Sequence, residues 1–487
     1  MAHSSSTPAR EVTVAGRRAS LALLVMLSAS FMDLLDVTIV TVAAPDIAAD
    51  LHASRSQLQW MLAAYTLALG SGLITGGRVG DDHGRRKVFL VSLACFAVAS
   101  AACALAPTAG VLIAVRAVQG LAGGFMVPQV FGIIRSSFEP AATAKAFGAY
   151  GAVQGLASVA GPLLGGALVD ADLWGLGWRT IFWINLPVAV MALALGARVL
   201  PESLAPVRAR LDVAGAVLVA IAVLLVLLPL VQGRDWGWPA FGWALLVIGL
   251  LLLAVFLAYE RALTRRGGQP VLDPALLSVR PFSAGLVASV LFFGGLASFF
   301  LVLSIYLAGT GRSAWDTGLV ILPYAIGSMI TSGAGVALAA RAGRALVVTG
   351  SLTLAVSQGL LWWLVRDGAT APGYWPLAGV MFLGGLGLGL GAPILVNVVL
   401  AGVPGRHAGA AGGVLSTVNQ IGGAAGVAVL GTVFFNALAP AAGTASGAPE
   451  QLFGHALAQV MPWQVATYVL AALAMLALPR TAASHQR

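Results

Sequence analysis

Two aspartates and one arginine fall where charge is costly. Asp33 and Asp36 lie within the apolar stretch FMDLLDVTIVTVAAPDI, residues 31–47. Three residues apart, they share one face of a helix. Arg116 lies within a second apolar stretch, three residues ahead of Gln119 and four ahead of Gly120. A charge at the centre of a bilayer costs about 2.5–3.5 kcal/mol on insertion scales, so such residues normally face a cavity or a partner. A carboxyl held there can load and unload a proton, and Arg116 is a natural partner for Asp36 or Asp33. The structural alternatives are aspartates near the interface and an arginine that snorkels.

A second constellation is GGRVGDDHGRRKVFL, residues 76–90, with six charged residues in a chain that is only 9% charged. It reads as a loop with the pattern Gly77-x-x-x-Asp81-x-x-Gly84-Arg85-Arg86-Lys87. As a solvated turn, its cations would fix topology. That role does not explain an acid and glycines at these offsets. Glycines permit a tight turn and close helix approach. Asp81 can accept hydrogen bonds from the start of a neighbouring helix, where the macrodipole favours a carboxylate. The basic run can pair with acids or carbonyls of the next bundle, making a latch between bundles. A third stretch, ASVAGPLLGG (157–166), has Gly161, Gly165 and Gly166 for close packing and Pro162 to interrupt the backbone ladder.

The elements that must carry these residues are membrane helices. The chain has 487 residues, 59% of them hydrophobic. It holds fourteen windows of roughly 20 apolar residues, each enough to span a bilayer. They imply an all-α polytopic membrane protein. Runs such as AGAVLVAIAVLLVLLPLV do not alternate apolar and polar residues, which excludes a transmembrane β-barrel. The two longest connections, near 202–212 and 260–281, divide the chain into a tail (1–19), six spans (20–200), two further spans with their linkers (201–281), six spans (282–479) and a second tail (480–487). A shift of 265 residues superposes Gly120, Gly124 and Pro128 on Gly385, Gly389 and Pro393. Two pseudo-symmetric six-helix bundles with a site between them are one architecture of secondary transporters.

The net charge of +9 is an orientation signal. With alternating spans, 21 of the 27 basic residues fall on the side of the termini and five on the other. By the positive-inside rule both termini are cytoplasmic, and the charge does not imply nucleic acid. Cys95 and Cys103, eight residues apart in one helix, are ~12 Å apart and cannot form a disulfide. No cleavage site follows the first span, so no removed signal peptide is expected. No GxxxxGK[ST] phosphate loop, HExxH or paired-cysteine pattern is present, so no cofactor, no metal and no enzyme activity are expected. GGLGLGLGAP (384–393) lies inside a span and reads as helix packing.

The charged loop resembles the signature loop of the major facilitator superfamily, where it steadies the outward-open state. An echo, ARAGRALVV (340–348), keeps Gly343 and Arg344 but has Ala339 and Ala340 where the aspartate would stand, which implies a weaker second latch. Gly161-Pro162-x-x-Gly165-Gly166 resembles the antiporter motif of drug exporters, with Ala157 in place of a frequent glycine. Leu35-Asp36-x-Thr38 through Pro45, with Thr41 in place of a usual asparagine, resembles the first helix of the 14-helix drug:proton antiporters. Arg116-x-x-Gln119-Gly120 is similar to that family's fourth helix, implicated there in proton coupling. Trp178-Arg179-x-x-Phe182-x-x-Asn185-x-Pro187 and NQIGGAAGVAVLGTVF (419–434) resemble the same subfamily.

The resemblance implies a monomeric inner-membrane antiporter, surrounded by lipid, that exports an amphipathic drug or antibiotic against protons. Asp33, Asp36 and Arg116 would couple the proton. From helix position, Thr38, Tyr65, Gln119, Gln154, Asn397, Asn419 and Gln420 are candidate substrate contacts, with Phe292, Phe293 and Tyr324 as further lining residues. Proton symport of a small metabolite and a non-transporting receptor are the competing readings.

Overall fold

In the computed structural model, residues 16–202, 212–312, 314–366, 372–401, 403, 408–444 and 449–478 are described. They are helical apart from short connections, with no strand among them. The first group of helices is α1 (Gly16–Asp50), α2 (Arg55–His83), α3 (Arg85–Ala104), α4 (Ala109–Ser137), α5 (Pro140–Asp170), α6 (Thr180–Trp183) and α7 (Asn185–Val199). Then come α8 (Val213–Gln232) and α9 (Ala240–Arg265). The last group is α10 (Arg280–Gly309), α11 (Ala314–Val365), α12 (Tyr374–Ala401), α13 (Ala408–Thr444) and α14 (Pro449–Met475). Twelve helical stretches among the described residues are long and apolar enough to cross a membrane.

Two boundaries differ from those the apolar windows suggest. Residues 180–199 are two helices in succession. Pro187 has no N–H to give the Trp183 carbonyl four residues earlier, so the hydrogen-bond ladder breaks there while the backbone stays helical at Ile184 (φ −59°, ψ −25°). Conversely, α11 runs 52 residues without a loop. At 1.5 Å per residue that is about 78 Å, more than twice the hydrocarbon thickness. The one non-helical residue, Ala342 (φ −135°, ψ 26°), lets the chain turn back where a straight rod would leave the bilayer.

The helices pack mainly within their own group. In the first, α1 lies on α5 and α7, and α4 lies on α2 and α3. In the last, α10 lies on α13 and α14, and α11 on α14. The groups meet through α5 against α11 and α12, and through α13 against α2 and α4. Helix α8 packs on α2, α13 and α9. One contact recurs in both groups. A Cβ on Gly120 would sit 2.2 Å from the Tyr65 carbonyl oxygen, and one on Gly385 would sit 2.0 Å from that of Tyr324. Gly120 and Gly385 are the pair superposed by the 265-residue shift. Each lets two backbones touch where any side chain would force them apart.

Candidate functional site

The first site lies inside the first group. Asp36 on α1 is fully buried, and so, to 1% exposure, is Arg116 on α4. Arg116 Nη1 donates to Asp36 Oδ2. Gln119, one turn along α4, donates from Nε2 to Asp36 Oδ1 at 2.9 Å, and its own Oε1 accepts from Arg116 Nη1 at 3.0 Å. Asn185 at the start of α7 donates from Nδ2 to Asp36 Oδ1 (3.2 Å) and to Ser100 Oγ on α3 (3.0 Å). Ser100 in turn donates to the Phe182 carbonyl at 2.8 Å. The buried charge is therefore both paired and hydrogen-bonded, which is the condition for keeping an ion pair out of water.

Asp33 is in a different setting. It is only half-buried. The Tyr65 hydroxyl on α2 donates to its Oδ1 at 2.5 Å, and that ring lies 4.2 Å from the Arg116 guanidinium carbon, a cation–π contact. A Cβ on Gly123 of α4 would sit 2.7 Å from Asp33 Oδ1. Tyr65 thus connects the free acid to the paired one. Cys103 is buried with Sγ 3.5 Å from Gln119 Oε1, while Cys95 is exposed.

The second site joins the two groups. The charged stretch is barely a loop. Helix α2 continues to His83, and Gly84 alone makes the turn into α3, at φ +100°, a conformation that favours glycine. Asp81 therefore sits in the last turn of α2, fully buried. Its Oδ1 accepts from Arg85 Nε (2.9 Å) and Nη2 (2.6 Å) and from the Gly409 backbone N–H (3.2 Å); its Oδ2 accepts from the Ala410 N–H at 3.0 Å. Those amides belong to the first turn of α13, where unpaired donors and the helix dipole favour an anion. Gly77 makes this approach possible, since a Cβ there would meet the Gly409 carbonyl oxygen at 2.3 Å. The described partners of Arg85 and Arg86 lie in the first group. Arg85 pairs with Asp81 itself. Arg86 donates from Nη2 to the Ala197 carbonyl in the last turn of α7, and its N–H to Glu202 Oε1 at 3.2 Å. Lys87 is exposed. In the second group Arg344 likewise donates to carbonyls beyond α14, of Leu476 (3.2 Å) and Leu478 (3.4 Å).

On α5, a Cβ on Gly161 would fall 1.9 Å from Thr38 Oγ1, and one on Gly165 3.1 Å from Ile39 Cγ1, so α5 packs directly over the acidic turn of α1. Nothing lies within 4 Å of a Cβ on Gly166. The side chains of Pro162 and Gln154 lie outside the described residues. Thr38 Oγ1 donates to its own helix, to the Leu34 and Leu35 carbonyls. Tyr65 and Gln119 have their polar ends committed to the two acids. On α12 Asn397 is buried; on α13 Asn419 and Gln420 are half-buried, and Asn419 Oδ1 has no hydrogen-bond partner. Tyr324 packs on Phe299 and Phe300, and Phe292 on Phe293 and Tyr468.

At the opposite end of α1, Asp50 Oδ2 accepts from Arg179 Nη1 (2.6 Å) and Trp178 Nε1 (3.0 Å). Those bonds, Arg179's first, hold the Asp50 carboxyl below the usual carboxylate range. Sequence reading saw Asn185 only as part of a spacing and passed over Ser100. A search for every polar residue inside an apolar span would have found both.

The family model of the Major Facilitator Superfamily matches residues 26–228 and 203–427. The probable actinorhodin transporter of Streptomyces coelicolor is 41% identical over 422 residues, covering 86% of this chain and 72% of that protein. The tetracenomycin C resistance and export protein of Streptomyces glaucescens is 36% identical, over 82% and 73% of the two chains. The multidrug efflux pump LfrA of Mycolicibacterium smegmatis is 32% identical, over 86% and 81%. Among solved structures, the human organic anion transporter MFSD10 superposes with a TM-score of 0.63 at 17% identity, over 92% of this chain and 99% of that one. The proton:xylose symporter XylE gives 0.63 at 15% identity, over 94% and 95%; both are likenesses of fold. With those matches over most of its length and its bilayer-spanning helices, this chain belongs to the major facilitator superfamily and is a multi-pass membrane transporter, not an enzyme.

Proposed function

We propose that the protein exports amphipathic antibiotics or related drugs in exchange for protons. The observation that carries this reading is the pair of acids on one face of α1, one locked and one half-open, inside a chain similar to a probable actinorhodin transporter and a tetracenomycin C export protein. Asp36 is saturated by Arg116, Gln119 and Asn185. Asp33, half-buried and held through Tyr65, is the acid free to gain a proton in this conformation, and Tyr65 relays the change to Arg116. Protonation of Asp36 then requires Arg116 to release it, which ties the proton to helix movement. Cargo sits near the midplane between the two groups. Asn419 and Gln420 of α13 are its candidate contacts, with Asn397 of α12.

The chain crosses the inner membrane fourteen times in this reading. Helix α5, with 31 residues, and residues 314–341 of α11 supply two crossings beyond the twelve apolar stretches. Residues 20–200 and 282–479 are the two bundles of a lipid-embedded monomer, and 201–281 carry the extra pair α8–α9. Basic-residue bias places both termini in the cytoplasm. The α2–α13 contact at Asp81 then closes the cytoplasmic side, leaving the transporter open outward.

The test is a vesicle assay with a panel of dyes and antibiotics. Expulsion should require an imposed pH gradient, and Asp36→Asn should abolish it while the protein still folds and inserts in the membrane. Drug movement that ignores the gradient, or an Asp36→Asn protein that still pumps, would overturn the proposal.

A further inference from the structure

A buried acidic site lies away from Asp33 and Asp36, where the extra helices α8 and α9 meet the Asp81 end of α2. Glu260, in the last turns of α9, is completely buried on a helix whose other buried residues are Gly242, Gly249 and Phe256. Its Oε1 accepts from the Val271 N–H (3.3 Å) in the linker that leads to α10, and the neighbouring Leu272 N–H also bears on the carboxylate; by hydrogen-bond geometry its Oε2 has no partner among the described residues. Asp212, the N-cap of α8, accepts at Oδ1 from the Gly215 N–H (3.0 Å) and the Tyr259 hydroxyl (3.0 Å), and its Oδ2 has no partner. The two carboxyls border one point. A Cβ on Gly215 would lie 2.3 Å from Asp212 Oδ2 and 2.7 Å from Glu260 Oε1.

The charges around them do not balance. From α2, Arg78 lies near enough for its charge to act on Glu260, but it is engaged 3.2 Å from Asp82, whose oxygens are also buried without hydrogen bonds. Asp81 and His83 bear on Asp82 from the same helix. Tyr259 of α9 donates only to Asp212. In the linker, Arg266 is exposed and Asp273 caps the Ala275 N–H. Among the described residues, one guanidinium thus serves the buried Glu260 and Asp82 and the half-buried Asp212. Two adjacent buried carboxylates cannot both stay ionised at low cost.

We propose that Asp212 and Glu260 form a proton-binding site, one proton shared between their facing oxygens, that holds α9 and the 266–279 linker onto α8 and α2. The proton supplies the missing donor to an orphaned oxygen. As pH rises the proton leaves, both carboxyls become charged, and their repulsion loosens the linker. The site is therefore a pH-controlled tie beside the α2–α13 contact, independent of the coupling acids.

Hydrogen–deuterium exchange of residues 266–279 in the purified full-length protein tests this, corrected for intrinsic exchange between pH 5.5 and 8.5. Protection of the wild-type linker should fall about tenfold as pH rises. Glu260→Gln removes the charge and retains an acceptor for Val271, so its linker should stay protected at every pH. Asp212→Asn should behave alike. Asp36→Asn should keep the wild-type profile, which separates this site from the transport reading. A wild-type linker with no pH dependence, or both neutral variants retaining the wild-type slope, would overturn the assignment.

Discussion

Arg116 neutralises a fully buried carboxylate that Gln119 and Asn185 also bind, so its loss leaves Asp36 charged and without its counter-ion. Breaking a buried pair by removing one partner costs about 3–5 kcal/mol. Arg116→Ala should therefore lower the melting temperature in detergent well beyond Asp36→Asn, and combining the two should recover part of the loss. A double variant no better than Arg116→Ala alone would mean that the pair is not what holds α1 to α4. Tyr65→Phe removes the donor to Asp33 yet keeps the ring under the guanidinium. It should shift the pH profile of drug transport with little change in melting. At the other end of α1, the Asp50–Arg179 bond predicts a small effect with a defined sign. Asp50 is held below the unfolded value of about 3.9, so its contribution is present above that pH and disappears as pH falls through the folded-state value. Both side chains are partly exposed, which limits the pair to ~0–1 kcal/mol. The melting difference between wild type and Asp50→Asn should be constant from pH 7 to about pH 5 and shrink as pH falls through and below the unfolded value.

Between elements, the decisive geometry is backbone against backbone. Helix α13 begins against the end of α2, and Asp81 satisfies two amides of its first turn. Asp81→Asn keeps an acceptor but loses the charge that the helix start favours. By analogy with helix caps the share lost at the α13 amides is about 1 kcal/mol, and the buried pair with Arg85 is weakened as well. Gly77→Val should be more severe, because its side chain would overlap the Gly409 carbonyl whenever α2 and α13 meet. Labelling of a cysteine introduced at Ala410 should rise in both variants, since that residue is buried where α2 and α13 meet. Equal labelling in wild type and Gly77→Val would remove the contact from the transport cycle. On the other face, Gly161→Val should block transport by driving α5 off Thr38, with helical content by circular dichroism unchanged.

For the whole molecule, reporter tags on both termini should read as cytoplasmic, and one between α8 and α9 as external. A different result would reverse the sense of transport drawn from the Asp81 contact. Most of this organisation was legible in the sequence because a bilayer constrains composition so strongly: apolar runs must be helices, basic residues mark a side, and an acid inside a run must have a use. Asp33, Asp36 and Arg116 could be singled out because charge inside a run is costly, and Asp81 by its place in the charged stretch between two runs. The sequence could not say that Asp36 is saturated while Asp33 is half-free, because Asn185, Ser100 and Tyr65 lie far along the chain and converge only once α1, α2, α3, α4 and α7 have packed. The carbonyls that Arg86 and Arg344 find are helix ends of their own groups, whose positions are set by packing and not by local pattern. Glu260 escaped notice because one acid at the end of an apolar span looks like a solvated helix terminus until α8, α2 and the linker close over it. Apolar helical spans and the presence of costly charges follow from the free energy of single residues in lipid, so the sequence by itself determined them. Which charge meets which partner depends on distances between chain-remote helices, and only the tertiary structure decided that.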